Sequence, residues 1–96
     1  MNNLDQINSI LDKHKFDLKR RYNIKQLGVF GSYSRGEQVE KSDIDILVEF
    51  EKPIGLDFVL LAEELENILK LKVDLVSKGA LKPRAFDVIK KDLIYV

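Results

Sequence analysis

Apolar side chains at Leu4, Ile7, Leu11 and Leu18 recur at three- and four-residue steps, with His14 on the same stripe and Ile10 beside it. This spacing predicts one amphipathic helix ending near Tyr22, with His14 against the core or at its edge. The rhythm then changes. Lys25 to Phe30 is a short apolar run that stops at Gly31, which reads as a buried strand feeding the turn Gly31-Ser32-Tyr33-Ser34-Arg35-Gly36. A short helix is expected from Ser34 to about Val39, opened by Arg35 and Gly36. Asp43 to Phe50 alternates: Ile44, Ile46, Val48 and Phe50 point one way, and Asp43, Asp45, Leu47 and Glu49 the other.

Pro53 and Gly55 interrupt that strand, after which Phe58, Leu61, Leu65 and Ile68 restore a helical stripe that ends around Lys70. A third strand is expected over Lys72 to Val76. Pro83 suits the first turn of a last helix, continued by Phe86, Ile89 and Leu93 before the apolar end Ile94-Tyr95-Val96. The element order is therefore α-β-α-β-α-β-α. It points to an α/β (α+β) fold, a small mixed β-sheet flanked by helices, as a single domain over residues 1–96.

Composition narrows the chemistry. Sixteen acidic and sixteen basic residues balance, so no overall field draws the chain to nucleic acid or an anionic membrane. Nucleotide binding would need a local site. No Cys is present and His14 is the single histidine, which excludes thiolate catalysis, Cys-ligated zinc and multi-histidine metal sites. A metal would have to sit on carboxylates. The N-terminal stretch carries charges throughout and reads as neither a secretory signal nor a membrane span, so a cytoplasmic protein is expected.

Asp43 and Asp45 are two apart on a strand, so both carboxylates project from one face and can hold a divalent cation between them. Asp74, within Val73-Asp74-Leu75-Val76, offers a third. Gly31 lets backbone approach a ligand, while free amides and the Ser32 hydroxyl can donate to phosphate oxygens. Arg35 is available to a phosphate or a nearby carboxylate. Each piece also has a plain reading: the Asp pair as a solvated strand start, the Gly-Ser segment as an ordinary turn, Tyr33 as a base-stacking ring or a core cover. Glu49 shares the aspartates' face but lies about 13 Å along the strand, too far for direct metal binding. The clusters Lys19-Arg20-Arg21 and Lys90-Lys91-Asp92 read as solvated helix ends.

Taken together, Gly31-Ser32 after a strand, Ser34-Arg35-Gly36, Ser42-Asp43-Ile44-Asp45 and the later Asp74 resemble the DNA-polymerase-β-like nucleotidyltransferases. More narrowly, the chain is similar to the minimal nucleotidyltransferase antitoxins of toxin–antitoxin loci, with Ser34 where that family usually has Ala. The resemblance implies that Asp43, Asp45 and Asp74 bind Mg²⁺, with Asp74 also steering the acceptor's proton. Gly31 and Ser32, with Arg35 and Gly36, would hold the triphosphate of ATP. It further implies a partner, a HEPN-type RNase toxin neutralised by AMP on a tyrosine. Two other readings keep the fold: a nucleotidyltransferase acting on a small molecule, and an antitoxin that inhibits by binding alone.

Overall fold

The computed structural model describes residues 3–96. Helix α1 (Leu4–Tyr22) starts with a capping box: the Asn3 side chain accepts from the Gln6 amide at 2.9 Å, and the Asn3 amide donates to Gln6 Oε1 at 3.1 Å. Lys19, Arg20 and Arg21 occupy its last turn, where cations complement the free carbonyls, and Asn23 closes it in the left-handed region at φ 55°. Strand β1 (Ile24–Phe30) follows, then helix α2 (Gly31–Arg35) and strand β2 (Ile44–Phe50). Helix α3 (Asp57–Leu69) crosses to strand β3 (Val73–Ser77). A 3₁₀ turn (Lys78–Ala80), helix α4 (Pro83–Ile89) and a two-residue strand β4 (Ile94–Tyr95) complete the chain.

The four strands lie in the order β3-β2-β1-β4. Strand β1 runs antiparallel to both β2 and β4, and β2 runs parallel to β3. A parallel pair needs a crossover, which α3 supplies. One sheet face carries the main core: Leu27 and Val29 of β1 and Ile44, Ile46 and Val48 of β2 meet Ile7, Leu11 and Leu18 of α1 and Leu61, Leu65 and Leu69 of α3. Full burial of such side chains contributes roughly 1.5–3 kcal/mol each, which makes this the principal stabilising layer. The two helices are also tied at their polar margin. Glu64 of α3 accepts from the Tyr22 hydroxyl at 2.9 Å and from the Arg21 Nη1 at 3.0 Å, with Nη2 on its other oxygen.

The opposite sheet face carries Phe30, Asp45 and Asp74 in one cross-strand row, since Phe30 pairs with Asp45 and Asp45 with Asp74. Leu47, on that face, is buried outside the main core. Beside it Lys78 meets Glu49 at 3.6 Å and lies 4.8 Å from the centre of the Phe86 ring. Glu49 is thus committed to a lysine rather than to the aspartates.

Several expectations need correction. The short helix occupies Gly31–Arg35, not Ser34 to Val39. Gly36 adopts φ 72°, and the Gly36 and Glu37 amides donate back to the Tyr33 and Ser32 carbonyls, a pairing that stops the helix. Arg35 and Gly36 therefore close α2 instead of opening it. Helix α4 ends at Ile89, leaving Leu93 outside, and the apolar tail contains a strand absent from the predicted order. His14 is exposed, because the 3.6-residue turn brings half-buried Lys15 over the core edge in its place. Among the described residues no helix is long and apolar enough to cross a membrane.

Candidate active site

Strand β1 ends at Phe30, and the next residue, Gly31, takes φ 74° and starts α2 directly. A Cβ built there would lie 2.1 Å from Asp45 Oδ2, so only glycine lets this backbone back onto that carboxylate. Asp45 is half-buried near the start of β2, Asp74 stands opposite it in register on β3, and Asp43 sits exposed just before β2. Burial pushes the Asp45 carboxyl up to about 6; the charge of Asp74, a hydrogen bond shared with it and the charge of Asp43 act in the same direction, while Arg35 opposes them. Three acids therefore feel one another at the end of the sheet where α2 begins.

Ser32 occupies the first turn of α2, whose leading amides have no partner within the helix. Among the described residues its hydroxyl has none either. Tyr33 points the other way and is 1% exposed within the main core, which selects the core-covering reading over base stacking. The sequence did not foretell the anchoring of α2. The Ser34 hydroxyl donates to the Asp92 carbonyl, and Arg35 pairs with Asp92 at 2.6 Å and with Glu37 at 2.5 Å. Arg35 is thus held by carboxylates, with its charge still felt at Asp45. Asp92, read as part of a solvated helix end, fixes the turn from a distance; no local pattern marks it. Gly36 is exposed with nothing within 4 Å of a built Cβ, so its service to the site is to end α2.

The sequence profile of the nucleotidyltransferase domain matches residues 11–96. The chain belongs to the nucleotidyltransferase family. Among relatives of this nucleotidyltransferase, the protein adenylyltransferase MntA of Thermococcus cleftensis is 48% identical, over 97% of this chain and 95% of its own. A solved structure provisionally named a minimal nucleotidyltransferase superposes with a TM-score of 0.75 at 34% identity, covering 92% of this chain and 93% of the other. A toxin–antitoxin crystal structure with AMP-PNP gives a TM-score of 0.73 at 26% identity, covering 88% and 70%. The mixed sheet and its helices agree with this fold.

A nucleotidyltransferase handles polyanions, and the site's donors suit a hard cation bridging to them. Among the described residues no three His, Cys, Asp or Glu side chains form a ready-made cation cage. Mg²⁺ does not require one, because it takes one or two carboxylates and fills its remaining positions with water and phosphate oxygens. Asp45, disfavoured as an anion by burial and by its acidic neighbours, is a carboxylate that a cation would relieve. Glycine at position 31 keeps backbone close to that oxygen, and the leading amides of α2, without partners in the helix, are donors of the kind phosphate oxygens accept from.

Proposed function

We propose that this nucleotidyltransferase is a Mg²⁺-dependent antitoxin that transfers AMP from ATP to a tyrosine hydroxyl of a HEPN-type toxin in the cytoplasm and so neutralises it. The carrying observation is Asp45 standing between the Gly31 backbone and Asp74, an arrangement that supports a site where phosphate and cation meet. The name of the Thermococcus cleftensis relative supports the protein acceptor, and the toxin–antitoxin structure with AMP-PNP supports both partner and nucleotide. The HEPN class and the tyrosine come from the resemblance of the motif residues.

In this reading Asp43 and Asp45, with Asp74 completing the set, would hold Mg²⁺, which when bound would neutralise charge on the phosphates. Amides of Gly31 and Ser32 and the Ser32 hydroxyl hold the triphosphate, with the Arg35 charge behind them and Gly36 ending the helix that presents them. The acceptor oxygen attacks the α-phosphorus in line; a bond to that oxygen forms, the bond to the β-phosphate oxygen breaks, and pyrophosphate leaves. Asp74 takes the hydroxyl proton and orients the attacking oxygen. No covalent enzyme intermediate arises. Another protein presents the hydroxyl, a role that the toxin–antitoxin structure with AMP-PNP supports, and a balanced net charge fits a chain that does not bind nucleic acid directly.

The test is incubation with α-labelled ATP and Mg²⁺, with and without the protein encoded beside this gene. Label on that protein, lost with Asp43→Asn, is the expected result. Tight inhibition of the partner with no label on it would overturn the catalytic reading.

A further inference from the structure

Two residues before Asp74, immediately ahead of β3, stands Lys72. Its carbonyl accepts from the Ile44 amide at 2.9 Å, so the parallel ladder already holds at this position. Ile44 pairs with Val73 and Asp45 with Asp74, so Lys72 and Asp43 each stand one residue before the first pair of the ladder. Leu71 and Val73 on either side of it pack against the main core, so Lys72 between them turns to the face of Asp74. Lys72 is exposed, and among the described residues it has no ion-pair partner. Two other cations of this region are committed, Arg35 to Asp92 and Glu37 and Lys78 to Glu49.

Strand order gives Lys72 a side. In the sheet β3-β2-β1-β4, the Gly31-Ser32 turn follows β1 on one flank of Asp45, while Asp74 and Lys72 occupy the other. With the triphosphate on the Gly31-Ser32 flank, the acceptor enters over β3. We propose that Lys72 is a positioning residue that holds an acidic segment of the acceptor polypeptide beside its reacting hydroxyl, an inference that rests on the nucleotidyltransferase reading of the site.

Charge supplies the reason. A basic segment would be drawn onto the three aspartates and compete with the cation they hold, whereas an acidic one is repelled by them and finds an opposite charge at Lys72, two residues from Asp74. The hydroxyl is thereby registered at Asp74 and the acid at Lys72. Alternate residues on a strand are about 7 Å apart, so the acid lies two residues from the hydroxyl in an extended segment, or one turn away on a helix.

The experiment compares three nonapeptides with a central tyrosine flanked on both sides by Asp, Asn or Lys, as acceptors of label from α-labelled ATP with Mg²⁺. Wild type is expected to show a KM for the Asp peptide about tenfold below that for the Asn peptide. Lys72→Ala should erase this preference, with kcat, the KM for ATP and the half-saturating Mg²⁺ each within about twofold of wild type. Lys72→Arg should retain it, and Lys72→Glu should move it to the Lys peptide. Persistence of the preference in Lys72→Ala overturns the proposal. So does a change in Mg²⁺ requirement in place of peptide KM, which would make Lys72 a charge balance for Asp43. Equal use of the Asp and Asn peptides by wild type, or labelling of the partner protein but of neither peptide, also overturns it. Absence of label on the peptides and on the partner alike would remove the underlying reading of the site instead.

Discussion

Asp45 is held by the fold in a place that disfavours its own charge, since burial and the neighbouring Asp74 and Asp43 raise its pKa to about 6. A carboxyl raised in the folded state contributes stability below its unfolded pKa, near 4, and that contribution is lost as pH rises through about 6. The metal-free protein should therefore lose stability between those limits, and Asp45→Asn should flatten the profile. At pH 8 the variant is expected to be more stable than wild type by about 1 kcal/mol, well short of the full shift because water screens this half-exposed site, while label transfer is abolished. Thermal melts without metal across that pH range check the first part. Gly31→Ala should act in the opposite sense on the fold: a Cβ at φ 74° against Asp45 Oδ2 costs about 1–3 kcal/mol and displaces the carboxylate, so melting temperature and transfer fall together. A Gly31→Ala protein as stable and active as wild type would mean that this close approach is not needed.

Between elements, Glu64 carries the polar tie from α3 to α1. The hydrogen bond from Arg21 chiefly lowers its pKa, with that from Tyr22 acting the same way and burial opposing both. A carboxylate lowered in this way stabilises the fold above its unfolded pKa, and the contribution disappears as pH falls through the folded value. Glu64→Gln should cost about 1 kcal/mol near neutrality and almost nothing once the pH has fallen below the lowered folded pKa and the wild-type carboxyl is protonated. Denaturant titrations of the pair at several pH values would read the convergence. At the other edge, Asp92 pins α2 through Arg35 and, by its carbonyl, through Ser34. Asp92→Asn removes the charge pair but keeps the carbonyl contact, so a several-fold rise in the KM for ATP is expected with little change in stability; an unchanged KM would show that the turn holds itself.

At the scale of the molecule, binding to the folded state alone must raise the melting temperature. Nucleotide with Mg²⁺ at about a hundred times its dissociation constant adds about 2.7 kcal/mol, worth ten degrees or more in a domain of this size. An Asp43→Asn, Asp45→Asn double variant should lose that shift in scanning calorimetry, and retention of the full shift would move the nucleotide site elsewhere.

The chain's own pattern made much of this readable. The periods of α1, β2 and α3 and the short spacing of Gly31, Ser32, Asp43 and Asp45 are local properties, set by neighbours in sequence, so these elements and the candidate residues are legible directly. The two-residue β4 was missed because it is too short to show an alternation and forms only against β1. Helix α2 was misplaced because a positive-φ glycine can open or close a turn, and its dihedral alone does not say which. Register across distant strands decided the rest: Asp74 opposite Asp45, Arg35 taken by Asp92, and the burial that moves the Asp45 pKa. Residue type and periodicity determine which groups the chain can offer. Only non-local packing decides which of them share a site and how much solvent each keeps, because pair distances and desolvation are properties of the assembled core and not of any segment.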